Sequence, residues 1–239
     1  IISGTQSTVT AGTSNYIAGN GAGAAIESGG NYNTLIGDEA GNDLTTGDYN
    51  TFLGFRAGDV ATTAGTNVGL GSNALGALTS GTNNTAVGPN ALVLNTTGAS
   101  NTAVGVSAMG ANTTGGSSVA VGNNALDAQT TGNFNTAVGL NALTANTTAS
   151  QNTAVGNHAL EANTTAASNT AVGAFALRVN TTGAYNVAVG TKALDANTEG
   201  DQNVAIGYDA MTVHTTGDYN VAIGGYALDA NTSSSSNTA

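Results

Sequence analysis

The sequence predicts an all-β fold, a parallel β-solenoid (β-roll) of about thirteen 17-residue coils. Three observations carry this. A glycine recurs at 17-residue intervals from Gly37 to Gly224. The residues around it occupy fixed slots. Gly, Asn and Thr dominate throughout, which disfavours helix, and no 3.6-residue period survives. Such self-similarity marks an architecture in which one repeat is one coil, able to bury its face only against its neighbours.

The elements follow in chain order. Residues 1–18 read as a degenerate first coil or junction. Residues 19–239 form the repeat array, with Gly19 one residue out of step with Gly37 and the last repeat stopping at Asn237-Thr238-Ala239. That ending predicts that the natural chain continues, or that another subunit supplies the next coil. With the recurring glycine at position zero, slot −1 is always Val, Ile or Leu, and slot −2 is Ala in nine of twelve repeats. Slot +3 is Ala in all twelve and slot +4 is Leu or Met in ten, Gly41 and Gly58 being exceptions. Slot +8 is Thr in all twelve.

Alternation along a strand places −3 and −1 on one side. The same rule turns +4, +6 and +8 inward in a second strand, with glycines at zero and +10 at the corners. Coils stacked at ~4.8 Å would make a rod of roughly 60 Å. In this reading the alanine at −2 forms a second, outward apolar face. Ala137, Ala154, Ala171, Ala188 and Ala205 are then the candidates for contact between chains, and the face predicts a homotrimer.

Composition excludes several function classes. Fourteen acidic and three basic residues give a net charge of −11, the wrong sign for nucleic acid or an anionic membrane. There is no cysteine, so no thiolate metal site and no cysteine nucleophile. No run is long and apolar enough to be a membrane-spanning helix.

The pentads Asn203–Gly207 and Asn220–Gly224 read Asn-Val-Ala-Ile-Gly, and the segment 135–149 reads Asn-Thr-Ala-Val-Gly-x-x-Ala-Leu-x-x-Asn-Thr-Thr-Ala. The first resembles the head repeat of YadA-type trimeric autotransporter adhesins. The second, with Thr51–Gly58, is similar to repeats of phage tail fibres. The resemblance implies a left-handed β-roll, three chains side by side and a role in attachment. The 17-residue period departs from the shorter YadA-type repeat.

Candidate chemistry is sparse. Asn and Thr at +7 and +9 should share an outer face opposite the +8 threonine. Asn112, Asn146, Asn163 and Asn180, with Thr113, Thr130, Thr147, Thr164 and Thr181, are expected to form ladders along the array. Asn95, Asn112, Asn146, Asn163 and Asn180 also match the Asn-x-Thr acceptor pattern, from which no modification is expected. His214 is a variant of the +7 slot and His158 a solvated corner residue; they are too far apart in the repeat for a shared metal site. The acidic residues, such as Asp38, Asp127, Asp195 and Asp229, sit at corners without the pattern of calcium solenoids. Phe55, Phe175, Tyr208 and Tyr226 are possible surface-binding aromatics, with corner packing the blander reading.

No cofactor and no enzymatic activity are expected. The sequence instead predicts a structural or adhesive segment of an extracellular fibre, on a cell surface or virion. Its partner is itself, with a host protein or glycan receptor as a further partner. Two alternatives stay open: an ice-binding solenoid using the Asn/Thr face, and a self-stacking filament subunit of an extracellular matrix.

Overall fold

A computed structural model describes residues 14–239. Most of the expected 1–18 junction therefore lies outside the described residues. The fold is an all-β parallel β-solenoid, with no helix among the described residues. The chain divides into two compact units, Ile1–Ser117 and Ser118–Ala239.

The first unit carries strands β1 (Tyr16–Ala18), β2 (Thr34–Ile36), β3 (Thr51–Leu53), β4 (Val68–Leu70), β5 (Thr85–Val87) and β6 (Thr102–Val104). They pair in parallel and in sequence order. Tyr16 faces Thr34, an 18-residue step that absorbs the extra residue, and from Thr34↔Thr51 onward the step is 17. The second unit carries β7 (Val119–Val121), β8 (Thr136–Val138), β9 (Thr153–Val155), β10 (Thr170–Val172), β11 (Val187–Val189), β12 (Val204–Ile206) and β13 (Val221–Ile223), in the same order and register. Strand, corner and return path thus repeat identically, as the 17-residue period requires.

The expected second strand is not there. The stretch from +1 to +6 is a succession of turns. In the coil of Gly139, left-handed backbone occurs at Phe134 (φ 58°), Asn141 (φ 55°) and Leu143 (φ 52°). Asparagine tolerates that region well, whereas leucine does so at a cost of about 1 kcal/mol or more. Burial of the leucine in the core offsets that cost.

These turns reverse the expected facing of the side chains. Slot −2 points inward: Ala137, Ala154, Ala171, Ala188 and Ala205 are all completely buried. The flanking −3 and −1 residues, such as Thr136 and Val138, lie on the outer side, half-exposed. The inter-chain role given to the five alanines is therefore corrected: they are core. Of the expected inward set +4, +6 and +8, only +4 is fully inside. Leu94 and Val213, both at +6, are exposed. Alternation fails because a left-handed turn does not have the two-residue period of a strand.

The interior of each coil is narrow, and its volume is conserved by exchange. Where −2 is alanine, +4 is Leu or Met, as in Ala86 with Leu92 and Ala103 with Met109. Where −2 is large, +4 is glycine: Ile17 with Gly23, Leu35 with Gly41, Phe52 with Gly58. A Cβ on Gly58 would lie 2.4 Å from the Phe52 ring, and one on Gly41 would lie 2.9 Å from Leu35. The early exceptions in the repeat are thus a swap of bulk across one core.

Candidate functional site

Two ladders of buried amides line the second unit, and the first unit carries the same two, its +7 row being Leu44, Ala61 and Leu78 before Asn95 and Asn112. The first stands at slot −4, just before the strand. Asn50, Asn67, Asn84 and Asn101 in the first unit, and Asn135, Asn152, Asn169, Asn186, Asn203 and Asn220 in the second, are at most 1% exposed. Asn50, Asn67 and Asn84, and all six of the second unit, accept on the side-chain oxygen the backbone N–H of the equivalent residue one coil on; Asn169 N donates to Asn152 Oδ1 at 2.9 Å. Each of these asparagines from Asn50 to Asn203 also donates across its own coil to the carbonyl at +10, as Asn152 does to Ala166 at 2.9 Å, while Asn220 donates to Asn203 Oδ1 at 2.9 Å. The constancy of this asparagine was visible in the repeat, but its role required knowing which carbonyl it faces.

The second ladder is the +7 row. Asn112, Asn146, Asn163 and Asn180 are completely buried, not on an outer face with the +9 threonines. Asn112 donates to Asn95 Oδ1 at 2.8 Å, Asn163 to Asn146 at 3.1 Å and Asn180 to Asn163 at 3.1 Å. Both ladders converge on the +10 carbonyl. The Gly183 oxygen accepts from Asn169 at 2.9 Å and from Asn180 at 2.8 Å. Most of this polar interior is paired, as suits a site where an unpaired amide is costly; in the +7 row the Asn197 Oδ1 and His214 Nδ1 atoms are buried without a hydrogen bond. Asn95, Asn112, Asn146, Asn163 and Asn180, the asparagines named above for their Asn-x-Thr pattern, have no exposed surface in the folded chain.

The +8 threonines are half-buried, and their hydroxyls bond to the +8 carbonyl one coil on. Thr96 reaches Thr113 at 3.0 Å, Thr130 reaches Thr147 at 3.1 Å, Thr147 reaches Thr164 at 3.2 Å, Thr164 reaches Thr181 at 3.4 Å and Thr181 reaches Thr198 at 3.0 Å. The mixed outer Asn/Thr face is corrected accordingly, because the asparagines are inside and only the +9 residues are fully outside.

We expect Asn152→Ala to cost about 1–3 kcal/mol, since it strips the Asn169 N–H of its acceptor and removes one donor from the Ala166 carbonyl. Urea unfolding checks the loss, and faster hydrogen exchange at the Asn169 amide checks its location.

His214 takes the +7 slot, completely buried, with Nε2 2.8 Å from the Gly217 oxygen. The ring nitrogen thus donates where an asparagine amide would. His158 is no free corner residue: its Nδ1 is 3.0 Å from Glu161, and its ring stacks on Phe175 at 5.5 Å. Among the described residues no three His, Asp or Glu side chains gather as metal ligands.

The corner aromatics fall into two kinds. Phe175 is half-buried between His158 and the Arg178 guanidinium, which lies 5.9 Å from its ring centre and pairs with Asp195 at 2.8 Å. Phe55, Tyr208 and Tyr226 are half or more exposed. Tyr208 and Tyr226 meet edge to face at 5.4 Å. The Asp209 carboxylate, by hydrogen bonding and by charge, holds the Tyr208 hydroxyl above its ordinary pKa. At slot −5, Tyr32 and Tyr49 stack at 5.0 Å.

The outer side of the strands is different again. In the second unit, slot −1 runs Val121, Val138, Val155, Val172, Val189, Ile206 and Ile223, all half-exposed or exposed. Slot −3 beside it is Val119, then Thr136, Thr153 and Thr170, then Val187, Val204 and Val221. This two-row face carries no charge. The sequence reading missed it because it placed these residues inside.

Fold and ladders together define a parallel β-solenoid repeat protein with a polar, amide-laddered interior and an apolar outer sheet face. No protein-family model matches the chain, and no curated protein matches it.

Proposed function

We propose that the chain is a structural and adhesive segment of an extracellular fibre, similar to YadA-type heads and tail-fibre β-rolls, and that it assembles as a homotrimer through the outer face of its strands. The observation that supports this is the uncharged double row at −3 and −1. Single exposed apolar side chains are ordinary on a protein surface, but a contiguous patch of them marks an interaction site. Its members are β-branched, already ordered by the sheet and evenly spaced, so a like surface packs against them at little cost in side-chain entropy. The uniform coils suit a scaffold better than a catalyst. The ice-binding alternative has no outer asparagine row to rest on.

Native mass measurement and light scattering test the proposal, with three chains per particle expected. Val138→Glu with Val172→Glu keeps the two glutamates two coils apart, so a single chain loses only about 1 kcal/mol or less per site from lower β-propensity. In the trimer it buries unpaired charge, at several kcal/mol. We expect the double variant to be monomeric with an unchanged β-sheet circular dichroism signal. A wild-type chain that stays monomeric at micromolar concentration overturns the trimer.

A further inference from the structure

One coil of the first unit is notched. At slots +5 and +6, successive coils carry Asp59-Val60, Gly76-Ala77 and Val93-Leu94. The small pair between two larger pairs leaves an open depression of about 300 Å³. Its floor is ordered backbone: Val60 N donates to Gly76 O at 3.3 Å, and Ala77 N to Val93 O at 2.9 Å. Val60 stands on one side, with Val93 and Leu94 on the other, and Leu94 is 51% exposed.

The rim is polar. Arg56, Asp59 and Asn73 border the notch. Arg56 pairs with Glu39, lies 3.9 Å from Asp59 through its Nε, and rests 5.2 Å from the ring centre of the exposed Phe55. Burial pushes the Asp59 carboxyl above its usual range, and Arg56 only partly opposes this. The chain has only three basic residues, and one of them is committed here.

We propose that this notch binds one neutral sugar ring, as a subsite for a glycan. A pyranose presents a C–H face, which the Val93 and Leu94 wall can take, and an edge of hydroxyls that both donate and accept. The rim offers the matching groups: the Arg56 guanidinium donates, the Asp59 carboxylate accepts, and the Asn73 amide does both. Two carboxylates beside one guanidinium leave the rim without net positive charge, so an anionic ligand gains nothing there. The volume lies at the lower end of small-molecule sites, enough for a ring and too small for a folded partner. The notch is on the turn side of the coil rather than the outer strand face, so the inference does not depend on trimer assembly.

The test is titration of the ¹⁵N-labelled full chain with the methyl glycosides of glucose, galactose and mannose. At least one is expected to bind with a Kd of ~1 mM, with shifts centred on Arg56, Asp59, Asn73, Gly76 and Ala77. Gly76→Val with Ala77→Leu fills the notch with the residues that the next coil already carries at those slots. It is expected to weaken binding at least about tenfold while leaving the particle mass and β-sheet signal unchanged. Absence of shifts with all three glycosides overturns the proposal. So does equal binding by the filled variant, or tighter binding of methyl glucuronide than of methyl glucoside.

Discussion

Gly156→Ala is expected to destabilise the second unit by about 3 kcal/mol or more. Two separate causes act at this residue. Its φ of +143° lies in a region that side chains essentially do not occupy, which alone costs of order 1–3 kcal/mol. A Cβ there would also stand 2.4 Å from the Gly173 carbonyl oxygen of the neighbouring coil. That oxygen belongs to backbone, so no side chain can swing away, and relief requires the two coils to part. Gly224→Ala separates the causes, because its φ is +132° but nothing lies within 4 Å of the added Cβ. It should show the backbone cost only. Gly225→Ala, with its nearest atom at 3.8 Å, should fall within about 0.5 kcal/mol of neutral. Urea unfolding of the three variants gives the order directly, and equal stabilities for Gly156→Ala and Gly225→Ala would refute the account. Because solenoid stability is a sum of coil and interface terms, hydrogen exchange should show the loss centred on the coils of Gly156 and Gly173.

The second large effect concerns the exchange of bulk in the first unit. Phe52→Ala empties a fully buried site and is expected to cost about 3–5 kcal/mol. Gly58→Leu alone is also destabilising, since its Cβ would meet the Phe52 ring at 2.4 Å. Together the two changes recreate the alanine–leucine pair of the later coils. The backbone already suits it: Gly58 has φ 61° and Leu75, at the same slot, has φ 57°. The double variant should therefore recover most of the loss of Phe52→Ala, with a coupling of at least about 2 kcal/mol in the cycle. Additive losses would show that the two slots do not share one volume.

Much of the fold was legible in the sequence, and the physical reason differs from slot to slot. The period needed only counting. The zero glycines marked corners because a sharp turn between extended segments favours a residue without a Cβ. Parallel stacking followed from identical coils, since like slots then meet like slots at every step. The ladders of Asn and Thr were visible as rows. Their depth was not, because asparagine is ordinarily a surface residue and nothing local says that a +10 carbonyl awaits its amide. The exceptions Gly41 and Gly58 were visible as exceptions, whereas their compensation by Leu35 and Phe52 involves slots six residues apart around a bend.

What the amino-acid sequence determined by itself is the repeat: a coil of seventeen residues, its corner glycines, and the parallel order of its strands. What only the tertiary structure decided is which side of the strand faces in. A strand such as Thr136-Ala137-Val138 has a period of two, and that period has no sign: either Ala137 or its two neighbours satisfies it. The sign is set by the return path. Left-handed turns at Asn141 and Leu143 bring the leucine across a narrow interior, where alanine fits opposite it and valine does not. That choice sends alanine inward, seats the amide ladders beside it, and turns the threonine and valine rows out to the surface where assembly is proposed.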